Sequence, residues 1–177
     1  MSELPVSRES VREEIREAAA TFHTLVAAAS AEDLRRPSAG TRWTNRQLLF
    51  HMMFGYMIVR TLLPLVRMFA RVPTPLSRAF ARTLNATSRP FHWVNYLGSC
   101  VGALVFRGPR LGAQFDRTIS AIERRLVRES DAGLASRMHF PVDWDPFFAD
   151  TMSVLEVYHY GTEHFDSHSR QLTLTTG

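Results

Sequence analysis

The chain has 177 residues, 45% of them apolar, with 21 basic and 17 acidic side chains and a formal charge of +4; this is one domain with a sizeable core, and disordered and fibrous classes are excluded. A single cysteine, Cys100, excludes a disulfide framework and a thiolate-built zinc site. All 21 basic residues are arginine, so chemistry through a lysine nucleophile or Schiff base is excluded too.

The charge is unevenly spread. Between Leu34 and Phe115 there are twelve arginines and no acid. Such a field favours an anionic partner: a carboxylate, a phosphate, a lipid headgroup or nucleic acid. The first residues, Met1 to Ile15, are polar with four glutamates, which predicts no signal peptide and a soluble cytoplasmic protein. The uncharged stretch Phe91 to Phe106 has sixteen residues, including His92, Asn95 and Ser99, and is too short and too polar for a membrane span.

The apolar pattern is helical throughout, with no strand-like alternation. Ser10-Val-Arg-Glu13 has the form of a capping box. It opens a first helix that carries Val11, Ile15, Ala18, Phe22, Leu25 and Val26 on one stripe to about Ala29. A loop from Ser30 to Arg42 follows. Thr44-Asn-Arg-Gln47 is a second capping box, starting a helix that runs towards Phe69, with a kink predicted at Pro64. A short helix is predicted over 75–86, another opening at Pro90, and a long one from Leu111 to Arg128. Gly133 to Asp150 reads as a loop. Ser153-Val-Leu-Glu156 is a third capping box, opening a last helix to near Gln171. Four long amphipathic helices predict an all-α four-helix bundle forming a single domain over 1–177. The long 72–109 connection holds an extra helical segment and lets helices two and three run parallel.

On the last helix His164 and His168 are four residues apart, one turn from each other on one face, within reach of one ion at 2.0–2.1 Å. His51 sits in helix two among Leu48, Leu49, Met52 and Phe54, where an imidazole needs partners. Two readings stand side by side: a core histidine satisfied by a carbonyl or carboxylate, or the third nitrogen of a facial site that leaves positions open for water or substrate. Zn, Ni and Fe all suit such ligands. Glu163 and Asp166 flank the pair and are candidates to orient an imidazole, although exposed helix charges explain them more simply. His159 points away from the pair, and His23, His92 and His139 read as structural. The segment around Asp143, Trp144 and Asp145 reads as a lid or a packed loop, and Cys100 as inert core.

Two segments resemble the DinB/YfiT-like superfamily, which includes bacillithiol- and mycothiol-dependent transferases and the metal domain of maleylpyruvate isomerase. They are Arg42-Trp43-Thr44-Asn-Arg-Gln-Leu48-Leu49-Phe-His51 and His164-x3-His168-x2-Gln171-Leu172. The resemblance implies an up-down-down-up bundle with His51, His164 and His168 as metal ligands. It also implies a bacterial thiol-dependent transferase or isomerase that activates a low-molecular-weight thiol such as mycothiol or bacillithiol. Arg42, Arg46 and Arg170 lie closest in sequence to the motifs and are the candidates for holding the carboxylates of that thiol or of an anionic substrate. The competing reading is a non-catalytic bundle stapled by its metal. Arg60, Arg67, Arg71, Arg78 and Arg82 form a basic stripe, but no nucleic-acid motif accompanies them. The apolar residues beside it read first as a homodimer interface and second as a membrane-surface contact.

Overall fold

A computed structural model describes residues 6–175. The first five residues, part of the stretch read as lacking a signal peptide, lie outside the described residues. The helices are α1 (Arg8–Ala28), α2 (Asn45–Phe69), α3 (Thr74–Asn85), α4 (Ser88–Val105), α5 (Pro109–Arg128), the short α6 (Asp131–Ala135) and α7 (Val154–Ser169).

Direction follows from side chains that meet at known depths. His51 and Tyr56 of α2 face His164 and Thr162 of α7, so these helices are antiparallel. Arg16 and His23 of α1 reach Glu123 and Asp116 of α5, again antiparallel. Glu14 and Phe22 of α1 meet His159 and Phe165 of α7, which makes that pair parallel. Tyr56 and Arg67 meet Phe115 and Glu129, so α2 and α5 are parallel. The four long helices therefore run up, down, down and up, as the resemblance implied. α3 and α4 form the crossover that parallel neighbours require.

The helix starts at Thr44 and Ser153 are the capping boxes read from sequence. At α1 the cap differs. Ser7, not Ser10, is the N-cap, and Ser10 is the reciprocal residue, so the helix begins one turn earlier. The Arg8 guanidinium explains the extra turn, because it donates to the Leu126 carbonyl at 2.8 Å and pairs with Asp131 at 2.6 Å, satisfying the end of α5. Pro64 lies within α2, which continues past it to Phe69.

The core is set by helical spacing. Val11, Ile15, Ala18 and Phe22 of α1 are buried against Phe115, Ile119 and Ile122 of α5, with Phe165 of α7 stacked on Phe115. At the far end of the bundle buried Glu129 is held by Arg67 at 3.3 Å and Arg125 at 3.5 Å, so a carboxylate in the core keeps its charge compensated.

The loop expectation for 133–150 is corrected in part. Arg137–His139 (β1) and Thr151–Ser153 (β2) pair antiparallel, with Met138 opposite Met152. The segment between the strands folds over the crossover helices. Trp144 stacks on Phe91 with centroids 4.0 Å apart, its indole donates to the Leu84 carbonyl, and the Asp143 amide donates to Asn85. This flap roofs one side of the bundle.

Candidate metal centre

Antiparallel packing of α2 on α7 brings His51 into line with His164 and His168. Their ligand nitrogens all lie within 4.8 Å of one another, and the Nε2 atoms of His51 and His164 are 3.2 Å apart. Two nitrogens bound to one ion at 2.0–2.1 Å with a tetrahedral angle lie about 3.3 Å apart. The close pair is therefore already at the spacing of two ligands on a single ion.

The second nitrogens decide which atoms are free to bind. Ser99 on α4 donates its hydroxyl hydrogen to the Asn95 carbonyl at 2.9 Å. Its oxygen is then the acceptor for His51 Nδ1 at 3.0 Å, which fixes that ring as the Nδ1–H tautomer with a bare lone pair on Nε2. His168 Nδ1 donates to Gln171 Oε1 at 2.7 Å, leaving its Nε2 bare in the same way. Gln171 is itself held, since its carbonyl accepts from the Ala39 amide and the next residues are tied down by Asn45, whose side chain bonds Thr173. His164 Nδ1 is buried and has no partner, and the ring lies against Gly55, where a Cβ would come within 2.6 Å of it. Only glycine lets α7 approach this closely.

Burial, and then the neighbouring imidazoles, hold the basicity of His51 well below the ordinary value of 6.5. Burial and His168 push His164 down to about 3, and burial lowers His168 as well. All three stay neutral at physiological pH, the state a metal ligand needs. The bare Nε2 lone pairs of His51 and His168 converge with His164, whose Nδ1 has no protein partner, and such a set of neutral imidazoles suits a divalent cation. Of the two readings of His51, the facial site fits, and its other nitrogen is satisfied by a serine hydroxyl rather than by a carbonyl or carboxylate.

Around this centre, Trp43 stacks on His51 at 4.2 Å and 28° and presents an edge to His168, shielding one side. On the other side a cavity of about 230 Å³ opens from His51 and His164 along α2, under the flap. Asp145 stands at its inner end with Oδ2 4.0 Å from His164 Nε2, accepting the Tyr160 hydroxyl at 2.9 Å.

The three arginines expected at the site do not line this cavity. The Arg42 guanidinium lies over Tyr96 at 4.8 Å and Trp93 at 5.7 Å. Arg46 borders a separate groove with Cys100 and Leu104. Arg170 is exposed and caps α7. Glu163 lies 3.9 Å from His159 Nε2, and Asp166 is exposed on α7, so the imidazole-orienting groups are Ser99 and Gln171 instead. His159 binds Glu14 at 2.7 Å, tying α7 to α1. Ser99 is not among the residues expected at the site, and its one signal in the sequence is the polar series His92, Asn95, Ser99 at helical spacing in an otherwise apolar helix. Asp145 is expected only as part of a segment that reads as a lid or a packed loop.

Fold and site together fit a metal-binding helical bundle. Residues 14–172 match the family model of the DinB superfamily, and the chain belongs to that superfamily. No curated protein and no solved structure gives a match.

Proposed function

We propose that this chain is a divalent-metal-dependent enzyme whose substrate enters the cavity beneath the flap. The observation that carries the reading is that the histidine cluster is walled by Trp43 on one side and open to a cavity on the other. A purely structural ion has a closed site, whereas a catalytic one keeps a position facing the substrate.

His51, His164 and His168 would hold the ion. Bound there, it would lower the pKa of a coordinated thiol or water and polarise a carbonyl. The chain's own groups do the rest. Ser99 and Gln171 keep the Nε2 lone pairs of His51 and His168 turned inward. Trp43 excludes water from one face. Asp145 places a proton acceptor at the inner end of the cavity, oriented by the Tyr160 hydroxyl and the Phe147 amide.

Family membership and this open site support thiol-dependent transfer or isomerisation. The test is single-turnover loss of free thiol, measured on metal-loaded protein with a panel of low-molecular-weight thiols and electrophiles. Turnover that disappears in His51→Ala with the helical circular dichroism retained is the expected result. Full activity in that variant would overturn the reading. Metal that raises the melting temperature while every thiol and electrophile pair stays unreacted would favour the stapled, non-catalytic bundle.

A further inference from the structure

The cavity has a shape and a chemistry that narrow its ligand. His51, Phe54, Ile58, Leu62 and Leu65 succeed one another along a single face of α2 and all line it. Fourteen residues separate the first from the last, so this wall is roughly 21 Å long at 1.5 Å per residue. Phe80 and Leu84 of α3, with Phe91 of α4, continue the lining on the opposite side. Polar atoms gather at the inner end, on the histidines, Asn95, Asp145 and Tyr160, and no arginine lines any part of it. Along the length away from the histidines, a carboxylate or phosphate would be desolvated with no cation to meet it. The hydroxyls of a sugar thiol would be left unpaired.

We propose that the cavity binds an elongated, uncharged apolar molecule, an alkyl chain or linked aromatic, with its functional end at the histidines. The position of that end rests on the metal-enzyme reading; the binding itself does not. The test is a fluorescence titration of the full chain with the neutral probe N-phenyl-1-naphthylamine, metal-loaded and after chelation, with 1-dodecanol and a sugar thiol as competitors. The expected result is saturable binding that 1-dodecanol displaces and the sugar thiol does not. Ile58→Trp on α2 and Leu84→Trp on α3, which fill the lumen from two sides, should each weaken it at least tenfold. Absence of saturable binding, displacement by the sugar thiol alone, or unchanged affinity in both folded variants would overturn the proposal. Probe binding retained in a wild-type chain that takes up no metal would remove the metal reading and leave this one standing.

A separate observation concerns the outside of α4. Its buried Ser99 faces inward onto His51, and exposed His92 meets the Asp143 carbonyl of the flap. Outward it presents Trp93, Val94, Leu97, Val101, Leu104 and Val105, each more than half exposed. The helix carries no charge on this face, which is edged by Arg89 and Arg107 and by Arg42 lying over Trp93. A second copy docked by the same face would bring these arginines towards one another, with no acid on α4 to pair them. Anionic lipid supplies both an apolar bed and the missing negative charge.

We infer that α4 lies flat on an anionic membrane surface. The test is co-sedimentation with phosphatidylglycerol-containing vesicles and with phosphatidylcholine vesicles at low and high salt, beside sedimentation velocity of the protein alone. Expected are a monomer in solution and binding to the anionic vesicles that weakens with salt and is lost in Leu97→Glu/Val101→Glu. Absence of binding at low salt would overturn it, as would a dimer that the same double variant dissociates.

Discussion

Ser99 shows how much of this site rests on a side chain that touches no substrate. Its hydroxyl spends its hydrogen on Asn95 and so can only accept from His51. In Ser99→Ala the His51 Nδ1–H is left unpaired in a buried space, which costs about 1–3 kcal/mol. Loss of such an outer partner also weakens metal binding by roughly 10–100-fold. The expected outcome is a folded protein with reduced affinity in a competitive chelator titration, and unchanged affinity would show that the hydroxyl does not orient the ring. Gly55→Ala acts on the other side of the centre. A Cβ there falls 2.6 Å from His164 Nδ1 and 2.8 Å from Cε1, and the ring is too buried to swing clear. Metal binding should fall sharply while far-ultraviolet circular dichroism stays near wild type; retained affinity would mean that α7 shifts as a whole. The pairing of His164 with His168 was legible in the sequence, because a four-residue spacing is a local property of a helix, whereas His51 joined them only through the resemblance to the superfamily motif. Ser99 was not legible, and Asp145 only as part of a segment read as a lid or a packed loop, because they arrive from α4 and the flap and their proximity to the histidines exists only in the tertiary fold.

At the scale of elements, α2 and α7 carry two buried imidazoles and the half-buried His168, whose basicity is held below 6.5 by burial first, His164 to about 3. In the metal-free protein the unfolded chain binds protons on these rings as pH falls below 6.5, while the folded chain does not. Stability that is fully present above about pH 6.5 is therefore lost progressively as pH falls towards about 3. The urea midpoint of chelated protein should decline as pH is lowered from about 8 to about 4, and the decline should be shallower in His164→Ala. A midpoint that stays level over that range would contradict the burial of neutral rings. The element boundaries that sequence located best were those with a cap of their own, at Thr44 and Ser153. The start of α1 was misplaced because its first turn depends on Arg8 reaching α5, a contact made between residues far apart in the chain. The strands β1 and β2 have three residues each, too few for alternation to register.

At the scale of the whole molecule, the up-down-down-up order follows from the length of the 72–109 connection, which carries the chain back across the bundle and lets α5 lie parallel to α2. That connection also supplies Ser99 to the metal centre, Phe91 to the cavity wall and the outer apolar face of α4. The arginine-rich, acid-free stretch was legible as an anomaly of charge. Its placement was not, because only the packed structure shows that the arginines stay outside the cavity while polar residues of α4 turn inward. The measurement that bears most directly on this arrangement is metal content by mass spectrometry of untagged protein purified without chelator, beside His51→Ala and His164→Ala/His168→Ala. Near-stoichiometric metal in the wild type, absent from both variants, is the expected result. A metal-free wild type that takes up none of Zn, Ni or Fe on incubation would contradict it and leave His51 a core histidine held by Ser99.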